Sequence, residues 1–154
     1  MRVLILDGET GETYRNEKGQ LETENGQVYD LGGSVLETDT GELLTKISLV
    51  NEDVFFGMPL TMEQAYFAEK IPQYLEDMRM GQRQIVDTLK MWLTIRQIIK
   101  DYNVEAIAGH TIWFDVKVLN ATLRYQLKSR LRYFLPFGIP ILDTMQMART
   151  VIDD

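Results

Sequence analysis

The chain has 154 residues, 45% hydrophobic and 25% charged, a composition that suits one soluble globular domain and excludes disordered, collagenous and disulfide-scaffold classes. It has no cysteine, which removes disulfides, thiolate metal sites and cysteine nucleophiles and fits a reducing cytoplasm; its single histidine, His110, excludes a zinc site of several imidazoles. A formal net charge of −7 argues against a protein that coats nucleic acid over its whole surface, so metal chemistry must rest on oxygen ligands and polyanion contact on a local basic patch.

The first residues are too few and too short an apolar run for a signal segment or a membrane span, and no membrane partner is expected. Residues 2–7 (RVLILD) form a short apolar run ending in an acid, which predicts a buried strand delivering Asp7 to its C-terminal end. Residues 10–27 carry only Tyr14 and Leu21 as sizeable apolar groups and read as a solvated excursion, where Asn25-Gly26 could close a small hairpin. Residues 28–38 and 42–50 flank Asp39-Thr40-Gly41 as the two strands of a hairpin. Beyond Gly57 the period turns helical through Met62, Ala65, Tyr66 and Glu69, until Pro72 starts a second helical piece or bends the first.

Residues 85–103 place Ile85, Leu89, Trp92, Leu93 and Ile99 on one stripe, predicting a helix packed on a sheet. Strand 104–111, helix 115–127, strand 139–143 and a last helix capped by Asp143 complete the order βββαβαβα. No repeat, low-complexity tract or proline-rich linker interrupts it, so the reading is a single α/β domain. Its sheet would be mixed and five-stranded: three antiparallel strands, then helix-linked strands, flanked by helices.

Two segments carry candidate chemistry. Asp7 and Glu9 end a strand two residues apart, so alternation aims both carboxylates at one spot, where a divalent cation relieves their repulsion. The competing reading is a solvated turn at a strand end. Asp115 follows an apolar strand and opens a helix, as a site residue or simply as an N-cap. His110 has a structural reading beside a functional one, and Trp113 and Phe114 a core reading.

An apolar strand ending Asp7-Gly8-Glu9-Thr10, a β-hairpin, and a later strand leading through His110-Thr111-Ile112-Trp113-Phe114-Asp115 into a helix resemble the DEDD-type, RNase H-like 3′-5′ exonuclease superfamily. The bacterial polymerase proofreading subunit is a member. Leu142-Asp143-Thr144 and Ala148-Arg149 resemble a further family segment, and Gly109 to Arg149, with Arg132-Tyr133-Phe134 and Phe137-Gly138, resembles exonuclease-type replication proteins of tailed phages. The resemblance implies an RNase H-like fold and Asp7, Glu9 and Asp115 as catalytic ligands of magnesium or manganese, two ions in a complete site. It places Thr10, His110, Thr111, Trp113 and Phe114 near the terminal nucleotide.

Thr111 stands where the family commonly has Asn. The family's last motif, a His or Tyr a few residues before a final Asp, is absent before the sequence stops at Asp154, and Asp153 and Asp154 are poor substitutes. The chain is therefore expected to be an incomplete exonuclease domain, nearly inactive as it stands and restored by a C-terminal extension. The expected reaction is two-metal hydrolysis at the 3′ end of single-stranded DNA or a frayed end, with RNA left open. A polymerase or replication protein is a possible partner.

Between Lys117 and Arg132 five cations, Lys117, Arg124, Lys128, Arg130 and Arg132, occur with no acid, interleaved with Tyr125 and followed by Tyr133, Phe134 and Phe137. Such a patch can track phosphates while rings stack on bases, which makes Arg124 and Lys128 candidate substrate contacts; a solvated basic helix is the alternative. The second function class is a non-catalytic module that uses the same fold to dock nucleic acid or a replication partner.

Overall fold

The structure is a computed structural model and describes residues 1–11, 18–19, 26–65 and 68–146. In chain order come β1 (Arg2–Gly11), β2 (Gln27–Glu37), β3 (Glu42–Asn51), α1 (Glu52–Phe55), α2 (Pro59–Glu63), α3 (Ile71–Arg79) and β4 (Gln84–Val86). Then follow α4 (Thr88–Asp101), β5 (Ala106–Gly109), α5 (Ile112–Gln126) and β6 (Ile141–Asp143). The strands form one sheet in the order β4-β3-β2-β1-β5-β6. β1, β2 and β3 are an antiparallel meander, while β4 runs parallel to β3, β5 to β1 and β6 to β5.

Strand alternation divides β1 between two faces. Leu4 and Leu6 enter the main core with Leu31, Val35 and Leu49, against Met91 and Ile95 of α4 and Ile112, Leu119 and Leu123 of α5. Each such side chain contributes about 1.5–3 kcal/mol on burial. Val3 packs on the other face with Ala106 and Ala108, and Ile5 joins them. A second core, Tyr29, Val50, Val54, Phe55, Met62 and Tyr74, holds the short helices after β3; the rings of Tyr29 and Tyr74 meet edge to face with centroids 5.7 Å apart. No helix among the described residues is long and apolar enough to cross a membrane.

The mixed sheet flanked by helices is as expected, with three corrections. A sixth strand, Gln84–Val86, lies where a helix was predicted, because Ile85 and Val86 are β-branched and Asp87 caps α4 by accepting the Lys90 N–H at 2.7 Å. The predicted apolar stripe of that helix is only partly right: Trp92 and Ile99 pack against the core, but Met91 and Ile95 are the residues buried in it, while Leu89 and Leu93 are 42% and 52% exposed. α5 begins three residues before Asp115, which is thus a first-turn residue and not the N-cap.

Pro72 does start a separate helix, in the first turn of α3, and the Asp39-Thr40-Gly41 hairpin forms with Gly41 at φ +73°. The four-residue α1, capped by Asn51, was not anticipated. Asp143 accepts the Met145 N–H at 3.0 Å and residues 144–146 are helical, which agrees with the cap expected there. Tyr14, Leu21, Asn25, Tyr66, Ala148, Arg149, Asp153 and Asp154 lie outside the described residues.

Candidate active site

β1 is the organising element of the site. Asp7 and Glu9 lie on the face that Val3 and Ile5 also occupy, and across β2 they pair with Gly32 and Asp30. Gly32 has no side chain, so nothing from β2 stands over Asp7, whereas Asp30 brings a third acid onto the same face beside Glu9. Asp115 arrives from α5: it is only 4% exposed, and its Oδ1 accepts the Gly8 N–H at 3.0 Å. A Cβ on Gly8 would lie 3.3 Å from that oxygen, so the glycine between the two acids is what lets the helix carboxylate come down onto the strand. Gly109 does the same at the neighbouring strand end, where a Cβ would meet the Leu6 carbonyl at 2.7 Å and Ile112 Cδ1 at 2.8 Å.

The result is a cavity of about 800 Å³, lined by Asp7, Gly8, Glu9, His110, Thr111, Phe114, Asp115 and Thr144, with Val3, Ile5, Ala108 and Leu142 among its apolar floor. That volume lies within the range of ligand clefts, roughly 300–1,000 Å³. The structure thus brings Asp7, Glu9, Asp115, His110, Thr111 and Phe114 to one cavity. Thr10 and Trp113 do not line it: Thr10 lies against Gly26, and Trp113 is on the outer side of α5.

The electrostatics are those of crowded acids. Burial pushes the Asp115 carboxyl up to about 6, repulsion from Asp7 adds to this, and the Gly8 N–H opposes it. Glu9 is also raised, first by burial and then by Asp7, Asp30 and Asp115. The three carboxylates that motif reading selected therefore act on one another. Among the described residues, however, no three His, Cys, Asp or Glu side chains form a ready metal cage.

Thr111 makes the corner between β5 and α5 at φ +51°, a conformation costly for a β-branched residue. Its N–H donates to Asp143 Oδ1 at 3.2 Å and its hydroxyl to the His110 carbonyl at 2.7 Å, which ties the corner to β6. Asn, the residue common in the resembling family, tolerates this conformation better; the departure at this position falls on a strained residue.

Sequence reasoning missed the polar cluster beside Glu9. Asp30 is 9% exposed; Tyr74 O–H donates to its Oδ2 at 2.6 Å and Arg83 Nη1 at 3.0 Å. Arg83 also reaches Asp77 at 3.1 Å and lies 4.0 Å over the Tyr74 ring. The sequence hint was Asp30 set between Val28-Tyr29 and Leu31; the strand is buried there, and a buried carboxylate must find partners, although nothing local names them.

Arg124 and Lys128, proposed as substrate contacts, lie at the other end of α5. Asp115 is in the first turn of this 15-residue helix and Arg124 in the last, about 13 Å further along the axis. The helix buries Ile112, Asp115, Val118, Leu119, Thr122 and Leu123, and Arg124 belongs to the opposite side with Trp113 and Lys117.

The fold has a solved counterpart. The chain matches a crystal structure described as the nuclease domain of 3'hExo, a DEDDh family member, bound to rAMP, with a TM-score of 0.59 at 12% identity over 99% of this chain and 71% of that one. The chain has the fold of a DEDDh nuclease domain. The RNase H-like class expected from the motifs is thereby established, with six strands in place of five. No family model and no curated protein matches the sequence.

Proposed function

We propose that the chain is a metal-dependent nuclease domain that removes nucleotides from the 3′ end of DNA. The observation that carries this reading is the convergence of Asp7, Glu9 and Asp115, from two distant segments, on one cavity of a DEDDh-like fold. The donor set fits a hard divalent cation: it is all carboxylate oxygen, and the charged forms of Asp115 and Glu9 are disfavoured first by burial and then by the neighbouring acids, a repulsion such a cation relieves. Magnesium or manganese would be held by Asp7, Glu9 and Asp115, with water and substrate oxygens completing its shell. When bound, it supplies an activated water and charge stabilisation for phosphodiester hydrolysis, with two ions in the full mechanism.

The chain's own residues do the positioning. Gly8 fixes Asp115 through its N–H, and Asp30, ion-paired with Arg83 and hydrogen-bonded by Tyr74, stiffens the strand position opposite Glu9. Phe114 offers an exposed ring at the cavity edge for a terminal base, and His110 and Thr111 present polar groups to the sugar-phosphate. The polar and apolar lining together suit one nucleotide.

The test is digestion of a 5′-labelled oligonucleotide in manganese. Stepwise shortening from the 3′ end by residues 1–154, or by a version that also carries the residues encoded after them, lost in Asp115→Ala and in chelator, supports the reading. Binding of the cation without shortening by either form would favour a non-catalytic module that only docks nucleic acid.

A further inference from the structure

We infer that the end of α5 and the loop Lys128–Phe137 form a second nucleic-acid surface, separate from the carboxylate cavity, which grips a single strand by its phosphates and stacks its bases. The inference rests on the nuclease reading for its choice of polyanion. Its ground is a platform built against the chain's overall charge. Five cations and no acid occur from Lys117 to Arg132 in a protein of net charge −7. Three of them, Arg124, Lys128 and Arg130, line a cleft of about 780 Å³ together with Tyr125, Gln126 and Ser129.

The loop is held rigid from beneath. Arg96 of α4 donates to the carbonyls of Tyr133 at 2.9 Å, Phe134 at 3.3 Å and Leu135 at 3.2 Å, and Trp92 Nε1 donates to the Phe134 carbonyl at 3.0 Å. Asn120 accepts the Phe134 N–H at 2.8 Å, and Arg124 Nε donates to the Arg132 carbonyl at 2.9 Å. With its backbone so fixed, the loop holds Leu131, Tyr133 and Phe137 out in water at 87%, 57% and 100% exposure. Guanidinium groups stand over the rings, Arg124 over Tyr133 at 5.0 Å and Arg132 over Trp92 at 5.2 Å. Alternating cations and wet aromatic faces are what a single strand requires, since phosphates meet charge and every base offers a face to stack.

Lys128 adds a second observation. It follows the α5 C-cap at φ +51°, where the Ser129 N–H closes back on the Arg124 carbonyl at 3.0 Å. Helix ends of this shape favour Gly, because a side chain there is strained. Lys128 thus occupies a backbone position that Gly can take over without loss of folding, so its charge can be removed cleanly.

The experiment is fluorescence anisotropy with a labelled oligothymidylate of about 12 nucleotides, longer than a short single-strand site, in chelator. Without cations the carboxylate cavity repels phosphate, so binding reports the second surface alone and is independent of whether hydrolysis occurs. Lys128→Gly with Arg130→Gln is expected to weaken binding roughly ten-fold and to flatten the slope of log K against log salt by about 1.4, the share of two phosphate contacts. Its melting temperature should be no lower than that of the unaltered protein, since Gly relieves the backbone, so lost binding is not lost folding. Asp7→Asn should not weaken binding. Equal binding and an equal slope in the double variant would overturn the proposal. So would binding of polyglutamate with none of oligothymidylate, which would assign the surface to an acidic protein segment.

Discussion

Replacing Asp115 by Asn isolates the electrostatic tension of the cavity. Burial and Asp7 raise the Asp115 carboxyl from 3.8 to about 6, so the folded state holds this proton more tightly than the unfolded chain does. Stability from this group is therefore greatest below about pH 4 and is lost as pH rises through 4 to 6. At 1.36 kcal/mol per unit, the ionised form costs about 3 kcal/mol at pH 8. Asn keeps an Oδ1 for the Gly8 N–H and carries no charge, while its buried amide, if poorly matched, gives back about 1 kcal/mol. In chelator at pH 8 the variant should thus be more stable by about 2–3 kcal/mol, and the gap should close toward pH 4. Urea unfolding of both proteins at several pH values measures this. A variant less stable at pH 8, or a gap independent of pH, would refute the assignment of Asp115 as a strained buried carboxylate.

Manganese at 100-fold over its Kd should stabilise the protein by about 2.7 kcal/mol, several degrees in a thermal melt, and Asp7→Ala should remove most of the shift. Thr111→Asn should raise stability by about 1 kcal/mol in urea, because the φ +51° corner strains a β-branched side chain more than it strains Asn. Arg83→Met should lower stability by about 3 kcal/mol by leaving Asp30 an uncompensated charge beside Glu9, and adding Asp30→Asn should recover much of the loss in the same assay.

The sheet was legible because its strands announce themselves in two ways. β5 is a short apolar run and β1 opens on one, though β1 continues past the expected end at Asp7 to Gly11, and β2 and β3 flank a glycine turn whose geometry needs Gly41. The convergence of Asp7, Glu9 and Asp115 on one cavity was legible because strand alternation aims the first two together and the motif resemblance added the third, where residue patterns alone left a solvated turn and an N-cap open. β4 was not, since three residues are too few for a period and Ile85 also fits the following helical stripe. The apolar count of α4 misled for a similar reason: Leu89 and Leu93 extend the pattern but face outward, and only the packing of Met91 and Ile95 against the sheet reveals the true face. The Asp30–Tyr74–Arg83 cluster depends on contacts more than 40 residues apart, which no local pattern encodes. Arg124 and Lys128 both line the cleft at the end of α5, but sequence spacing could not show that this cleft and the carboxylates occupy opposite ends of one helix.

The most direct test of the central claim is a manganese titration followed by electron paramagnetic resonance, in which protein-bound ion leaves the free-ion signal. The unaltered chain should remove manganese from the free pool at pH 7.5, with Asp7→Asn and Asp115→Asn each weakening the binding roughly ten-fold or more, as loss of one charged ligand does. Undiminished binding in both variants would place the ion elsewhere and contradict the assignment of these carboxylates as the metal site.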